Sequence, residues 1–184
     1  SIRNFGLIGV YVLEPAEPLP PMTQEDLEFE RFQIKAVSAI EEELDRILKT
    51  RKQSRIQTIA DMVIRNYGHL DEKINFYQNL RSLEDYVPRH SLNVAILCAM
   101  ITHVMNIRRE EQYHTVCAAL LHDMGKLKKH EDVYFGAPYS REDAIRNCET
   151  QEGAYSVIED AFATEGPAIR RICQQAAGKQ LDLF

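Results

Sequence analysis

The sequence predicts an all-α fold, a helical bundle preceded by a short β-strand and a proline-rich linker. Three observations predict it. From Thr23 onward, apolar residues return every three or four positions, the period of one helix face. Capping residues, glycines and a first-turn proline divide that stretch into pieces of helical length. A glycine-bounded, β-branched run that reads as a strand occurs at Gly6 to Leu13, ahead of the helical stretch.

One strand cannot stand alone, so residues 1–22 read as the tail of a preceding small domain plus a linker. The linker, Glu14 to Pro21, has four prolines in eight residues and is extended and stiff. The start at Ser1 rather than Met fits a chain taken from something longer. Residues 23–184 form the helical domain, and its C-terminal end is expected to be incomplete.

Thr23 with Asp26 resembles a capping box, and Val37, Ile40, Leu44 and Ile47 mark the buried face of a long first helix. A second helix carries Ile56, Ile59, Ala60, Val63 and Ile64 and stops at Tyr67-Gly68. Ile74, Tyr77 and Leu80 predict a short third. The fourth, about residues 88–105, places His90, Val94, Leu97, Ile101 and Met105 on one face. The fifth runs through Tyr113, Val116, Cys117, Leu120 and Leu121 and ends near Gly125. Residues 128–139 lack periodicity and read as a loop. Ser140 with Asp143 caps a sixth helix, and Ala154, Val157, Ile158, Ala161 and Phe162 give a seventh. The last starts at Pro167 and carries Ile169, Ile172 and Cys173.

Composition narrows the function classes. Hydrophobic residues at 45% and charged residues at 27% are globular values, which excludes wholesale disorder. No apolar run reaches the roughly 18 residues of a membrane helix. With 28 acidic and 22 basic residues the net charge is −6, so no basic excess invites a long nucleic acid. The local cluster Lys49, Arg51, Lys52 and Arg55 reads as a solvated helix end. Cys98, Cys117, Cys148 and Cys173 form no Cys-x-x-Cys pair, and read as buried thiols in a reducing, cytoplasmic setting.

The chemistry concentrates in LLHDMGKL, residues 120–127. Consecutive helical residues point about 100° apart, so His122 and Asp123 converge on one ion best where the helix is ending, beside Gly125. Imidazole plus carboxylate suits iron, manganese or zinc. Lys126, three residues after Asp123, can present a positive charge to an anionic phosphate. A further histidine, His90, lies 32 residues upstream in EDYVPRHSLNVAIL. Arg89 and His130 are lesser candidates for the substrate side. His69, His103 and His114 fall at helix ends or on polar faces and are assigned no chemistry.

These motifs resemble the HD superfamily of metal-dependent phosphohydrolases, and within it the HD-GYP cyclic dinucleotide phosphodiesterases. LRSLEDYVPRHSLNVAIL looks like the family's first-histidine helix and AALLHDMGKL like its His-Asp helix. A looser likeness runs to residue 175. The resemblance implies His90 and His122 as metal ligands, Asp123 as a carboxylate bridging two ions, and Lys126 on the scissile phosphate. The family's next histidine falls at Glu149, ahead of Gly153, where a carboxylate can serve a hard ion. Its later His-His-Glu stretch falls near Gln174 and Gln175, and the GYP motif is absent.

The implied cofactor is one or two divalent ions, iron or manganese ahead of zinc or magnesium. The implied activity is hydrolysis of a phosphodiester such as cyclic di-GMP, and the partner a cyclic dinucleotide or nucleotide. The alternative is a degenerate HD domain that binds nucleotide, signals or dimerises without turnover. A nucleotide monophosphatase or deoxynucleotidase of the wider superfamily is a third reading. Homodimerisation through the long helix at residues 24–50 is a further expectation.

Overall fold

The computed structural model describes residues 23–70, 86–128 and 140–181. The strand at 6–13, the linker, the short helix around Ile74, Tyr77 and Leu80, and His130 lie outside the described residues. All regular structure among the described residues is helical: α1 (Gln24–Thr50), α2 (Ile56–Tyr67), α3 (Tyr86–Val104), α4 (Arg109–Leu121), α5 (Arg141–Phe162) and α6 (Gly166–Leu181). Short 3₁₀ turns occupy Met124–Lys128 and Ala163–Glu165. No described helix is long and apolar enough to cross a membrane.

The chain divides into two compact units, Ser1–Arg31 and Phe32–Phe184. In the first, the described residues are the opening turns of α1, where the Thr23 carbonyl accepts from the Leu27 amide at 3.2 Å.

In the second unit, the remainder of α1 buries Ala36, Val37, Ile40, Leu44 and Ile47, the face its spacing predicts. Glu43 is buried among them. Its Oε1 accepts the backbone N–H groups of Ser54 and Arg55, doing for the start of α2 what a capping side chain does elsewhere. The basic cluster nearby is solvated and paired: Lys49 with Asp45, Arg51 with Asp160, Arg55 with Glu42.

The short link between α3 and α4 makes them antiparallel neighbours, and α4 also meets α2 and α6. α4 therefore forms the centre, burying Val116, Cys117, Ala118, Leu120 and Leu121. The small residues Ala95 and Ala99 of α3 are fully buried, along with Val87, Leu92 and Ile96. The face of α3 that carries Leu97 and Ile101 turns outward, as does Met105 just past its end. α3 is apolar on both sides, so its periodicity defines two stripes, and the buried one is set by the alanines, which permit close approach.

The sixth and seventh helices expected from sequence are one continuous helix, α5. Ser140 caps it as predicted, its Oγ accepting from the Asp143 amide at 3.2 Å. Gly153 does not interrupt it: a mid-helix glycine costs only about 1 kcal/mol. The final helix begins at Gly166, which puts Pro167 in its first turn.

Candidate metal centre

Three helices converge on one small polar cluster. His90 sits at the fifth residue of α3, just past its opening turn. α4 ends at Leu121, and His122 caps it with backbone angles still helical, φ −59° and ψ −29°. Asp123 follows in the turn that leads into the 3₁₀ segment. The change of helical pitch there lets the two adjacent side chains face one point.

The donor atoms are close. His90 Nε2 lies 3.2 Å from His122 Nε2 and 3.6 Å from Asp123 Oδ2, and His122 Nε2 is 3.7 Å from that same oxygen. A point equidistant from all three lies about 2.0 Å from each, at the short end of metal–nitrogen and metal–oxygen bond lengths. The His122 Nδ1 is 2.8 Å from the Ala119 carbonyl, so Nδ1 carries the proton and Nε2 turns its lone pair inward. Burial lowers the pKa of His90; the nearby Asp123 carboxylate opposes this, and His122 and Lys126 add to it. His90 is thereby kept neutral, the form that ligates. The Tyr86 ring stacks on His90, centroids 5.4 Å apart and nearly parallel. These observations fit a divalent ion held by His90, His122 and Asp123.

Asp123 is only 3% exposed, and both its oxygens are committed. Oδ2 faces the histidines and also accepts from Lys126 Nζ at 2.8 Å. Oδ1 accepts from Gln151 Nε2 at 3.1 Å. Gln151 Oε1 in turn accepts from the Gly125 amide at 2.9 Å, so one buried carboxamide ties α5 to both sides of the His-Asp turn. Gly125 is required by this closeness: a Cβ there would stand 2.5 Å from Gln151 Oε1 and 2.8 Å from the Thr150 carbonyl oxygen. Four residues along the same face of α5, the Tyr155 hydroxyl donates to the His122 carbonyl at 2.6 Å.

Residues 87–175 match the family model of the HD domain. The match supports the HD superfamily, whose members are typically metal-dependent phosphohydrolases, for the segment that holds the whole cluster. No curated protein and no solved structure matches the chain.

Within the matched segment the structure brings His90, His122, Asp123 and Lys126 together. Arg89 is half-buried beside His90. Glu149 is exposed on α5 and stands outside the cluster. Gln174 donates to Glu152 at 2.7 Å, and Gln175 is exposed. Sequence reasoning missed Gln151 and Tyr155. The signal for Tyr155 was its place in the apolar register of α5; Gln151 carried none beyond being a polar residue on that register. All four cysteines are free thiols, Cys117 and Cys173 fully buried.

Proposed function

We propose that this chain is a metal-dependent hydrolase of phosphate esters, with a cyclic dinucleotide such as cyclic di-GMP as the substrate to test first. The observation that carries the reading is the inward-facing triangle of His90 Nε2, His122 Nε2 and Asp123 Oδ2, with a lysine ammonium on its edge. Two imidazoles and one carboxylate suit iron or manganese, and leave positions open for substrate. Because Asp123 Oδ1 is held by Gln151, the arrangement favours one ion over a carboxylate bridge between two.

When bound, the ion supplies Lewis-acid activation of the phosphoryl group. The protein's own part is to hold and neutralise. Gln151 fixes the carboxylate plane of Asp123, and the Ala119 carbonyl fixes the His122 ring. Lys126 spends one of its three N–H donors on Asp123, which leaves two for a phosphoryl oxygen as charge develops there. Tyr86 covers one face of His90.

A second reading, a domain that binds nucleotide without turnover, is favoured by one observation. The Lys126 side chain is only 5% exposed and already ion-paired with Asp123, which limits how far its two remaining donors reach toward a substrate.

The test is elemental analysis of protein purified anaerobically without a chelating tag, followed by cyclic di-GMP hydrolysis read by chromatography. One iron or manganese ion per chain with product formation, both lost in Asp123→Ala, is the expected result. Metal content unchanged in that variant overturns the site. Metal and saturable cyclic dinucleotide binding without product establishes the second reading.

A further inference from the structure

We propose that this chain has a second ligand site, at the opposite end of the α3–α4 pair from the metal centre, that binds the phosphate groups of a small diffusible molecule. The site is a cleft of about 490 Å³ bounded by the end of α2, the α3–α4 turn and the opening turn of α4. That volume is in the range of small-molecule pockets. His103 on its wall lies 13 residues beyond His90 on the same helix, roughly 20 Å along the axis, so the two sites share no residue.

The chemistry of the lining points to an anion. Arg65, His69, His103 and Arg109 surround the cleft, against one acidic side chain, Asp61. This is a local reversal in a chain with 28 acidic and 22 basic residues. Arg46, Arg51, Arg55, Arg108, Arg146 and Arg170 each meet a carboxylate. Arg65 and Arg109 take none among the described residues, as is also true of the exposed Arg31, Arg141 and Arg171, and Asp61 pairs with neither; what sets Arg65 and Arg109 apart is that both line one concavity. Two unpaired guanidinium groups around one concavity repel each other until an anion enters, and each offers a planar fork of donors matched to phosphate oxygens.

The cleft is also preformed. Gln112 lines it, is 8% exposed and donates to the Ala99 carbonyl at 3.0 Å, which locks the floor between α3 and α4. A diphosphate-bearing molecule spans two guanidinium groups better than a single phosphate does. This inference does not depend on hydrolysis at the metal centre.

Inorganic pyrophosphate is the probe. It is titrated calorimetrically at low salt into the full chain after chelator treatment, in wild type and in Arg65→Ala/Arg109→Ala. Saturable binding, weakened about tenfold or more in the double variant, is expected. Both arginines are exposed, so the variant should fold; hydrogen–deuterium exchange on wild type gives an independent readout if it does not. Pyrophosphate should slow exchange at residues 104–112. The proposal is overturned by absent saturation, by equal affinity in the double variant, or by protection confined to residues 122–128.

Discussion

Replacing Gln151 by leucine removes a single neutral side chain that touches no substrate, yet it should damage both stability and metal binding. The side chain is 1% exposed and makes two buried hydrogen bonds, to Asp123 Oδ1 and from the Gly125 amide. Leucine is similar in size, so the cavity contribution is small. Each group left unpaired costs about 1–3 kcal/mol, giving roughly 2–6 kcal/mol for the two. That is a large part of a typical stability of about 5–15 kcal/mol. The second effect is on the ligand: a carboxylate released on one side loses its fixed plane, and such losses typically weaken metal affinity about 10- to 100-fold. Urea unfolding of metal-free protein, with the slope checked for constancy, measures the first effect. Competition against a chelating indicator measures the second. A stability change under about 0.5 kcal/mol, the size of an ordinary surface substitution, would refute the reasoning. So would unaltered metal affinity in a variant that is destabilised.

Three other outcomes are expected. Gly125→Ala pushes a Cβ against the Thr150 carbonyl oxygen, which cannot move without shifting α5, and should cost about 1–3 kcal/mol in urea unfolding; a neutral result would show that the turn and α5 are looser than this. Lys126→Met leaves the buried Asp123 carboxylate without its cation and should cost about 3–5 kcal/mol in the metal-free protein. Manganese should raise the melting temperature of that variant more than that of wild type, since the ion replaces the lost charge; equal gains would contradict the shared role of Oδ2. The lowered pKa of His90 means that the native state binds fewer protons there than the unfolded chain does. Metal-free stability should therefore be level above the ordinary histidine value of 6.5 and fall as pH drops through it, a slope that His90→Gln removes. A urea midpoint that rises on acidification would reverse the sign and reject the assignment.

The parts of the fold legible in the sequence are those where one periodic stripe meets one core. Val37, Ile40, Leu44 and Ile47 are such a stripe, and all are buried. α3 was less legible because it is apolar around much of its circumference, and packing chose Ala95 and Ala99 over Leu97 and Ile101. The Ser140 cap and the apolar steps from Ala154 onward predict two separate helices, but Gly153 between them, with nothing within 4 Å of its Cβ position, gives the helix no reason to stop. At the centre, His122-Asp123 was legible because two ligand types adjoin where a helix runs out. His90 was legible through its pairing with that motif and the resemblance of its helix to the family's first-histidine helix; the α3–α4 hairpin, which returns the start of α3 to the end of α4, is what the structure adds. Gln151 was not legible: its importance comes from two hydrogen bonds across 26 and 28 residues, and no local pattern marks a carboxamide for that role.

The cluster draws its members from α3, from the end of α4 and from the middle of α5, so any bound ion would also be a mechanical part. It would bridge residues 32 apart in sequence and close a loop that contains nearly all of α3 and α4. At 100 times its dissociation constant, an ion bound only to the native chain adds about 2.7 kcal/mol to stability. That gain resists fraying at the first turn of α3 and the last turn of α4 together, because letting go of either end releases the ion. Metal supply would then set how long the chain survives proteolysis as well as whether its site can work.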